Sequence, residues 1–243
     1  MASKPAMQTL RKTLLAALLC LPFAGGAAGA DGIEVDRSCG EDVARKVQGY
    51  YESIQDLRAR FEQTQEGTAF GGSVGAGAQP VREGSVVLRK PGRMRWSYET
   101  PDPSLLVTDG QVVWMYDPVL EEAQRLPDAG GLLSGAAVQF LMGQGDLLAS
   151  FSVQAVDCGA KPVRLEMLPR KDAGYERLAL EVDPDTGRVA ASTVTDLFGN
   201  RTRVALHDVR TNTGPDASLF EFSPPEGVEV FDLAPPAGAA GQP

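Results

Sequence analysis

Histidine occurs once in the 243 residues, at His207, and cysteine only three times. One imidazole and so few thiols cannot furnish the zinc sites built from Cys and His. No Gly-x-Ser-x-Gly elbow is present, and no Gly-rich stretch ends in the Gly-Lys-Ser/Thr of a phosphate-binding loop. Neither a serine-hydrolase nucleophile nor a nucleotide site is therefore encoded in a readable motif. Positive charge is short as well: 23 basic residues face 32 acidic ones, a formal charge of −9. An acidic surface repels nucleic acid and anionic lipid headgroups alike. The carboxylates scatter through turns and polar faces, so no glycosidase-like pair can be named. The expectation is a protein that is not an enzyme, binds no cofactor or metal and has no nucleic-acid partner, with His207 a surface residue on a strand.

Long apolar runs are also missing, apart from one at the start. Lys4, Arg11 and Lys12 precede an apolar run from Thr13 to Phe23, and small residues then end in Ala28-Gly29-Ala30. That is the pattern of an export signal over residues 1–30, cleaved before Asp31. The run is too short to anchor the chain across a bilayer. Leu19 is not the small residue that a lipoprotein signal peptidase requires before its cysteine, so acylation at Cys20 is not expected. Cleavage removes three basic residues and no acid, giving 20 − 32 = −12 for the mature chain. Cys39 and Cys158 remain. In an oxidising compartment an even pair reads first as a disulfide, here tying the start of the first helix to a mid-chain strand; two buried free thiols are the alternative.

Residues 31–233 read as a single, mainly β domain. Ser38-Cys39-Gly40-Glu41 has the form of a capping box. Val43, Val47, Tyr50, Ile54, Leu57 and Phe61 then recur at spacings of four and three, which predicts one amphipathic helix through Phe61 with Arg45, Glu52, Asp56 and Arg60 on its polar side. A Gly-, Ala- and Ser-rich loop (67–80) leads to a strand at Val81–Arg89. The densest pattern follows, from Arg89 to Asp117. Met94, Trp96 and Tyr98 alternate with polar residues, Thr100-Pro101-Asp102-Pro103 breaks the strand, and Ser104–Thr108 continues into Asp109-Gly110, a type I′ hairpin signal. The return strand Gln111–Asp117 places Val112, Trp114 and Tyr116 on one face. A short strand to Leu126 precedes Leu132–Met142, an apolar helix flanked by Gly130, Gly131, Gly143 and Gly145 that is either core or a mobile lid. Five further strands are predicted at Ser150–Val156, Val163–Pro169, Tyr175–Asp183, Arg188–Leu197 and Thr202–Val209. Two amphipathic helices and no second apolar layer suggest a sheet curled around helices. The tail (234–243), rich in Pro, Ala and Gly, is expected to be disordered.

Lys90-Pro91, Arg95-Trp96, Pro101, Asp109-Gly110 and Trp114-Met115-Tyr116-Asp117-Pro118 together resemble the periplasmic outer-membrane lipoprotein carrier (LolA) family. Leu57-x-Ala59-x-Phe61-x-Gln63 is similar to the end of that family's first helix, and Phe220-x-Phe222-x-Pro224-Pro225-x-Gly227-Val228 to its closing segment. The resemblance implies an α+β, mainly β fold: an incomplete antiparallel β-barrel, or strongly curved sheet, with a helical lid over a hydrophobic cavity. It implies a periplasmic, monomeric chaperone that shields lipoprotein acyl chains between the inner and outer membranes. Its implied partners are acylated lipoproteins, an inner-membrane lipoprotein-releasing ABC transporter and an outer-membrane acceptor lipoprotein. The cavity lining it suggests is Met94, Trp96, Tyr98, Leu106, Trp114 and Tyr116 on the sheet, with Leu133, Phe140 and Leu141 on the lid. Family members carry Arg before the proline, where its guanidinium latches the lid to backbone carbonyls. Lys90 stands there in this chain and is the candidate latch, although an ammonium lacks the planar fork. The alternatives are a same-fold envelope-sensing module with a protein ligand, or the outer-membrane acceptor itself. An acyl chain of about sixteen carbons, fully buried, contributes on the order of 12 kcal/mol. A carrier that must let go therefore buries its cargo incompletely or sets lid contacts against it.

Overall fold

The computed structural model describes residues 36–67, 80–127 and 145–233, all within one unit spanning Ile33–Pro243. Its first element is a helix, α1 (Arg37–Ser53), capped by Asp36. The Asp36 carboxylate accepts from the Cys39 amide at 3.1 Å and from the Ser38 hydroxyl at 2.8 Å, so the cap lies two residues before the Ser38 of the predicted capping box. The helix also ends sooner than predicted. Ile54, Leu57 and Phe61 satisfy a helical spacing, but Leu57, Ala59, Phe61 and Gln63 satisfy a period of two, and the second pattern prevails: Asp56–Glu66 is a strand, β1. Asp56 and Arg60, expected on the helix's polar side, belong to that strand.

The remaining strands are β2 (Arg82–Arg89), β3 (Arg93–Thr100), β4 (Ser104–Thr108), β5 (Val112–Asp117), β6 (Glu122–Pro127), β7 (Phe151–Ala155), β8 (Val163–Pro169), β9 (Tyr175–Val182), β10 (Val189–Asp196), β11 (Arg201–Thr211) and β12 (Glu229–Asp232). A one-turn helix, α2 (Leu147–Ser150), precedes β7, where the sequence pattern had begun the strand at Ser150. All twelve strands form one curved sheet in the order β12-β6-β5-β4-β3-β2-β1-β11-β10-β9-β8-β7. Among the described residues its two edges, β12 and β7, do not pair with each other, so the barrel is incomplete there, and every ladder is antiparallel except β12 on β6. The β4–β5 hairpin turns at Asp109-Gly110 as expected, but Gly110 alone has positive φ (98°), and the Asp109 carboxylate closes the loop on the amides of Gln111 and Val112. This is an Asx-type turn rather than type I′.

Helix α1 lies on the inner face of the sheet. Val43, Ala44, Val47 and Tyr51 are buried there with Leu57, Val86 and Leu88 from one half of the sheet and Phe151, Val163, Leu165, Leu180 and Val189 from the other. The disulfide Cys39–Cys158 is formed, with Cα atoms 6.3 Å apart, and joins the first turn of α1 to the segment after β7.

The outer face is not bare, contrary to the sequence expectation of a single apolar layer. After β11 the chain crosses β2–β6 on that side through a 3₁₀ turn (Ala217–Phe220), burying Phe220 before adding β12 to β6. Arg89 and Arg95 hold it by donating to the carbonyls of Pro215 (2.7 Å) and Leu219 (3.2 Å). The crossing starts from Asp56, whose carboxylate accepts from the Thr213 amide (2.8 Å), the Thr213 hydroxyl (2.9 Å) and the Gly214 amide (3.0 Å). Burial pushes the Asp56 carboxyl up, but those donors and the Arg58 charge outweigh it and hold the group below the usual carboxylate range. A carboxylate with a depressed native pKa contributes stability that is complete above the unfolded value and is lost as pH falls through the native one. Asp56→Asn should cost about 2 kcal/mol at pH 7. The gap between wild type and variant should close on acidification below 3.8, the ordinary value for aspartate. Urea unfolding at neutral and at acid pH checks both; an unchanged gap at acid pH would refute the assignment.

Candidate functional site

Antiparallel pairing sets directly opposed residues on the same face, so the register sorts the candidate residues. One inner row runs Leu57–Leu88–Met94–Thr108–Val113–Leu126 across β1 to β6. The next runs Ala59–Val86–Trp96–Leu106–Met115–Gln124, and a third begins Phe61–Gly84–Tyr98–Ser104. The residues nearest α1, from Leu57 to Leu88, are buried in the core. Further along the rows Met94, Trp96, Tyr98, Leu106, Met115 and Leu126 are only half-buried. The result is an apolar floor continuous with the core but extending beyond it.

The aromatic residues of this floor interlock. Phe61 lies 4.8 Å from the Trp96 ring and 5.1 Å, edge-on, from Tyr98. The Tyr98 hydroxyl donates to Gln63 Oε1 at 2.9 Å, and burial raises its pKa. Beside it, Tyr98, Ser104, Leu106 and Met115 border an open depression of about 290 Å³ whose far wall includes Asp117 and Glu122.

Of the sheet residues predicted to line a cavity, Met94, Trp96, Tyr98 and Leu106 share this face. Trp114 and Tyr116 do not, although Tyr116 also lines that depression from the strand end. They are paired with Val107 and Leu105, which puts them on the outer face, and both pack on Phe222, with ring centroids 5.6 and 5.3 Å apart. The reason is parity: the β4–β5 turn opposes Thr108 to Val113, so the odd-numbered residues of β5, not Trp114 and Tyr116, continue the inner rows. The inner positions they were assigned fall instead to Val113 and Met115. Phe61, hidden in the sequence by its coincidental helical spacing, is the other floor residue that pattern reading missed. Leu133, Phe140 and Leu141 lie outside the described residues.

Lys90 sits in the β2–β3 turn. Its amide donates to the Gln55 carbonyl at 2.9 Å, and its ammonium donates to the Tyr51 carbonyl and, at 3.4 Å, to that of Glu52. These are the last carbonyls of α1, the negative end of the helix dipole, which a cation is suited to satisfy. Burial pulls the Lys90 pKa below the ordinary lysine value, with Glu52 opposing. Within the described residues, then, Lys90 fastens the first helix to the sheet. His207 is exposed on β11, opposite Arg60.

Residues 52–223 match the family described as "Outer membrane lipoprotein carrier protein LolA". The "Outer-membrane lipoprotein carrier protein" of Methylococcus capsulatus is 30% identical over 194 residues, covering 77% of this chain and 86% of that protein. The protein of the same name from Bordetella pertussis is 34% identical over 158 residues, 64% of this chain and 72% of its own. Among solved structures, a LolA superfamily protein of Nitrosomonas europaea aligns over 75% of this chain and 97% of its own at 9% identity, with a TM-score of 0.41.

Proposed function

We propose a lipid-shielding role for this protein, proceeding from the fact that the chain belongs to the outer membrane lipoprotein carrier (LolA) family. In this reading the mature protein works in the periplasm, takes acylated lipoproteins from an inner-membrane ABC transporter, and delivers them to the outer membrane through an acceptor lipoprotein. The observation that supports it best is the half-buried inner floor of Met94, Trp96, Leu106, Met115 and Leu126, which extends past the buried core. Such a surface gains by contact with hydrocarbon at roughly 25 cal/mol per Å² removed from water. Among the described residues the floor is open on one side, and in this reading cargo stays partly exposed and can be handed on.

Native mass spectrometry of protein isolated without detergent tests this reading. A bound triacylated lipoprotein is expected, and Trp96→Glu, which sets a carboxylate in the middle of the floor, should weaken binding about a hundredfold or more. A clean mass together with no uptake from lipoprotein-loaded membranes would turn the assignment towards a protein ligand.

Lys90 is assigned as the latch of this carrier. Lys90→Ala frees the last carbonyls of α1 and should cost about 1–2 kcal/mol of stability while altering uptake or release of lipoprotein. If stability falls and both transfer steps keep their wild-type rates, Lys90 is only a helix cap.

A further inference from the structure

The inner rows change character along the sheet. Those through Met94 and Trp96 are apolar over most of their length, whereas the row through Tyr98 continues into Ser104, with Asp117 and Glu122 paired at its far end. Two residues beyond Phe61, Gln63 is opposed by Arg82, so Arg82 comes to the inner face at the polar margin of an apolar floor. It is half-buried there, its guanidinium 3.8 Å from the Tyr98 ring centroid, and its Nη2 donates to Ser104 Oγ at 3.2 Å. Arg45, Arg60, Arg125, Arg164, Arg177 and Arg203 each meet a carboxylate, but among the described residues none lies within salt-bridge reach of Arg82.

Resting on the carrier reading, we infer that Arg82 and Ser104 form a headgroup subsite that donates hydrogen bonds to the ester carbonyls of a bound diacylglyceryl group. Three features point to that chemistry. The Tyr98 hydroxyl already donates to Gln63 and is committed there, while Arg82 and Ser104 offer donors at the same margin. A guanidinium is a planar fork of five donors, and among the described residues the bond to Ser104 occupies one of them, leaving a geometry suited to carbonyl oxygens. Asp117 and Glu122, which line the depression with Ser104, disfavour an anionic head such as a phosphate and leave a neutral ester unopposed. The subsite thus sets the direction of the cargo: acyl chains run back along Trp96, Leu106 and Met115, and the polypeptide leaves at the β5–β6 end.

The test is a binding titration of the purified protein with two synthetic probes carrying the same chains. One is a dipalmitoylglyceryl-cysteinyl peptide; the other is its dialkyl ether analogue, which lacks the ester carbonyls. Wild type should bind the ester about tenfold more tightly, the effect of one charge-assisted hydrogen bond. Arg82→Gln should abolish that preference while leaving ether binding unchanged, and Ser104→Ala should reduce it in part. Loss of affinity for both probes alike in Arg82→Gln, or no ester preference in wild type, would overturn the subsite while leaving the carrier reading intact. Failure of wild type to bind either probe would overturn the carrier reading and the subsite with it. Dipalmitoylphosphatidylglycerol is the third arm: binding equal to or tighter than that of the ester peptide would overturn the selectivity argued from Asp117 and Glu122.

Discussion

Reducing the Cys39–Cys158 bridge should lower the melting temperature by about 10–20 °C, the largest single effect expected for this protein. The bridge closes a loop of 119 residues. In the chain-entropy picture a loop of that length removes about 5 kcal/mol of disorder from the unfolded ensemble, and a domain of about 200 residues shifts by roughly 2–4 °C for each kcal/mol. Other native contacts hold the same elements together. Asp36 pairs with Ala155 through two backbone hydrogen bonds (3.2 and 3.1 Å), and Val43, Ala44, Val47 and Tyr51 are buried. The loss therefore falls on the unfolded state, and the folded protein should keep its far-ultraviolet spectrum at 25 °C, and with it the lipid binding proposed for it. Thermal unfolding with and without reductant, repeated on Cys39→Ser/Cys158→Ser, checks the value. A shift of only a degree or two in both would show that the bridge contributes little.

Gly84→Ala is expected to be nearly as damaging, at about 3 kcal/mol or more. A Cβ at this position would stand 2.0 Å from the Ser97 carbonyl oxygen and 2.8 Å from Cε1 and Cζ of Phe61. The first obstacle is backbone in the β2–β3 ladder, next to the register shift at Glu83/Gly84, so it cannot withdraw without breaking strand pairing. The second is the ring that spans Trp96 and Tyr98. At roughly 2–4 °C per kcal/mol, the melting temperature should drop about 6–12 °C. The proposed lipid binding should weaken as well, because the floor is built on Phe61. Adding Phe61→Leu relieves the ring but not the carbonyl, so the double variant should recover only part of the loss. Full recovery would place the strain in the aromatic cluster alone; an unchanged melting temperature for Gly84→Ala would refute the close-approach argument.

Much of the sheet was legible because strands with one buried face must alternate. The alternation of Met94, Trp96 and Tyr98 falls within a strand, Arg93–Thr100, that runs one residue into the predicted break, and Ser104–Thr108 and Val163–Pro169 appear with the bounds expected. Reading failed where two periods coincide or where chemistry is non-local. The run from Ile54 to Phe61 fits both a helix and a strand, and only the partners Leu88, Val86 and Gly84 decide for the strand. The disulfide was foreseen from an even pair of cysteines. The outer layer was not, because Phe220, Phe222 and Val230 sit in a Pro-rich stretch without periodicity and acquire a role only by lying against Trp114, Tyr116 and β6.

The site divides along the same line. Alternation within β3 was enough to put Met94, Trp96 and Tyr98 on one face, since side chains two residues apart in a strand point the same way whatever surrounds them. No local rule could say which face of β5 joins them. That depends on the turn that opposes Thr108 to Val113, and a slip of one residue there exchanges every side chain between the inner floor and the outer layer. By itself the sequence determined the family, most of the strands after β1 and the aromatic stripe. Only the tertiary structure decided that Trp114 and Tyr116 belong to the outer layer, that Phe61 and Met115 belong to the floor, and that Arg82 stands at its polar margin, because the face a strand residue joins is settled by its partners across the sheet.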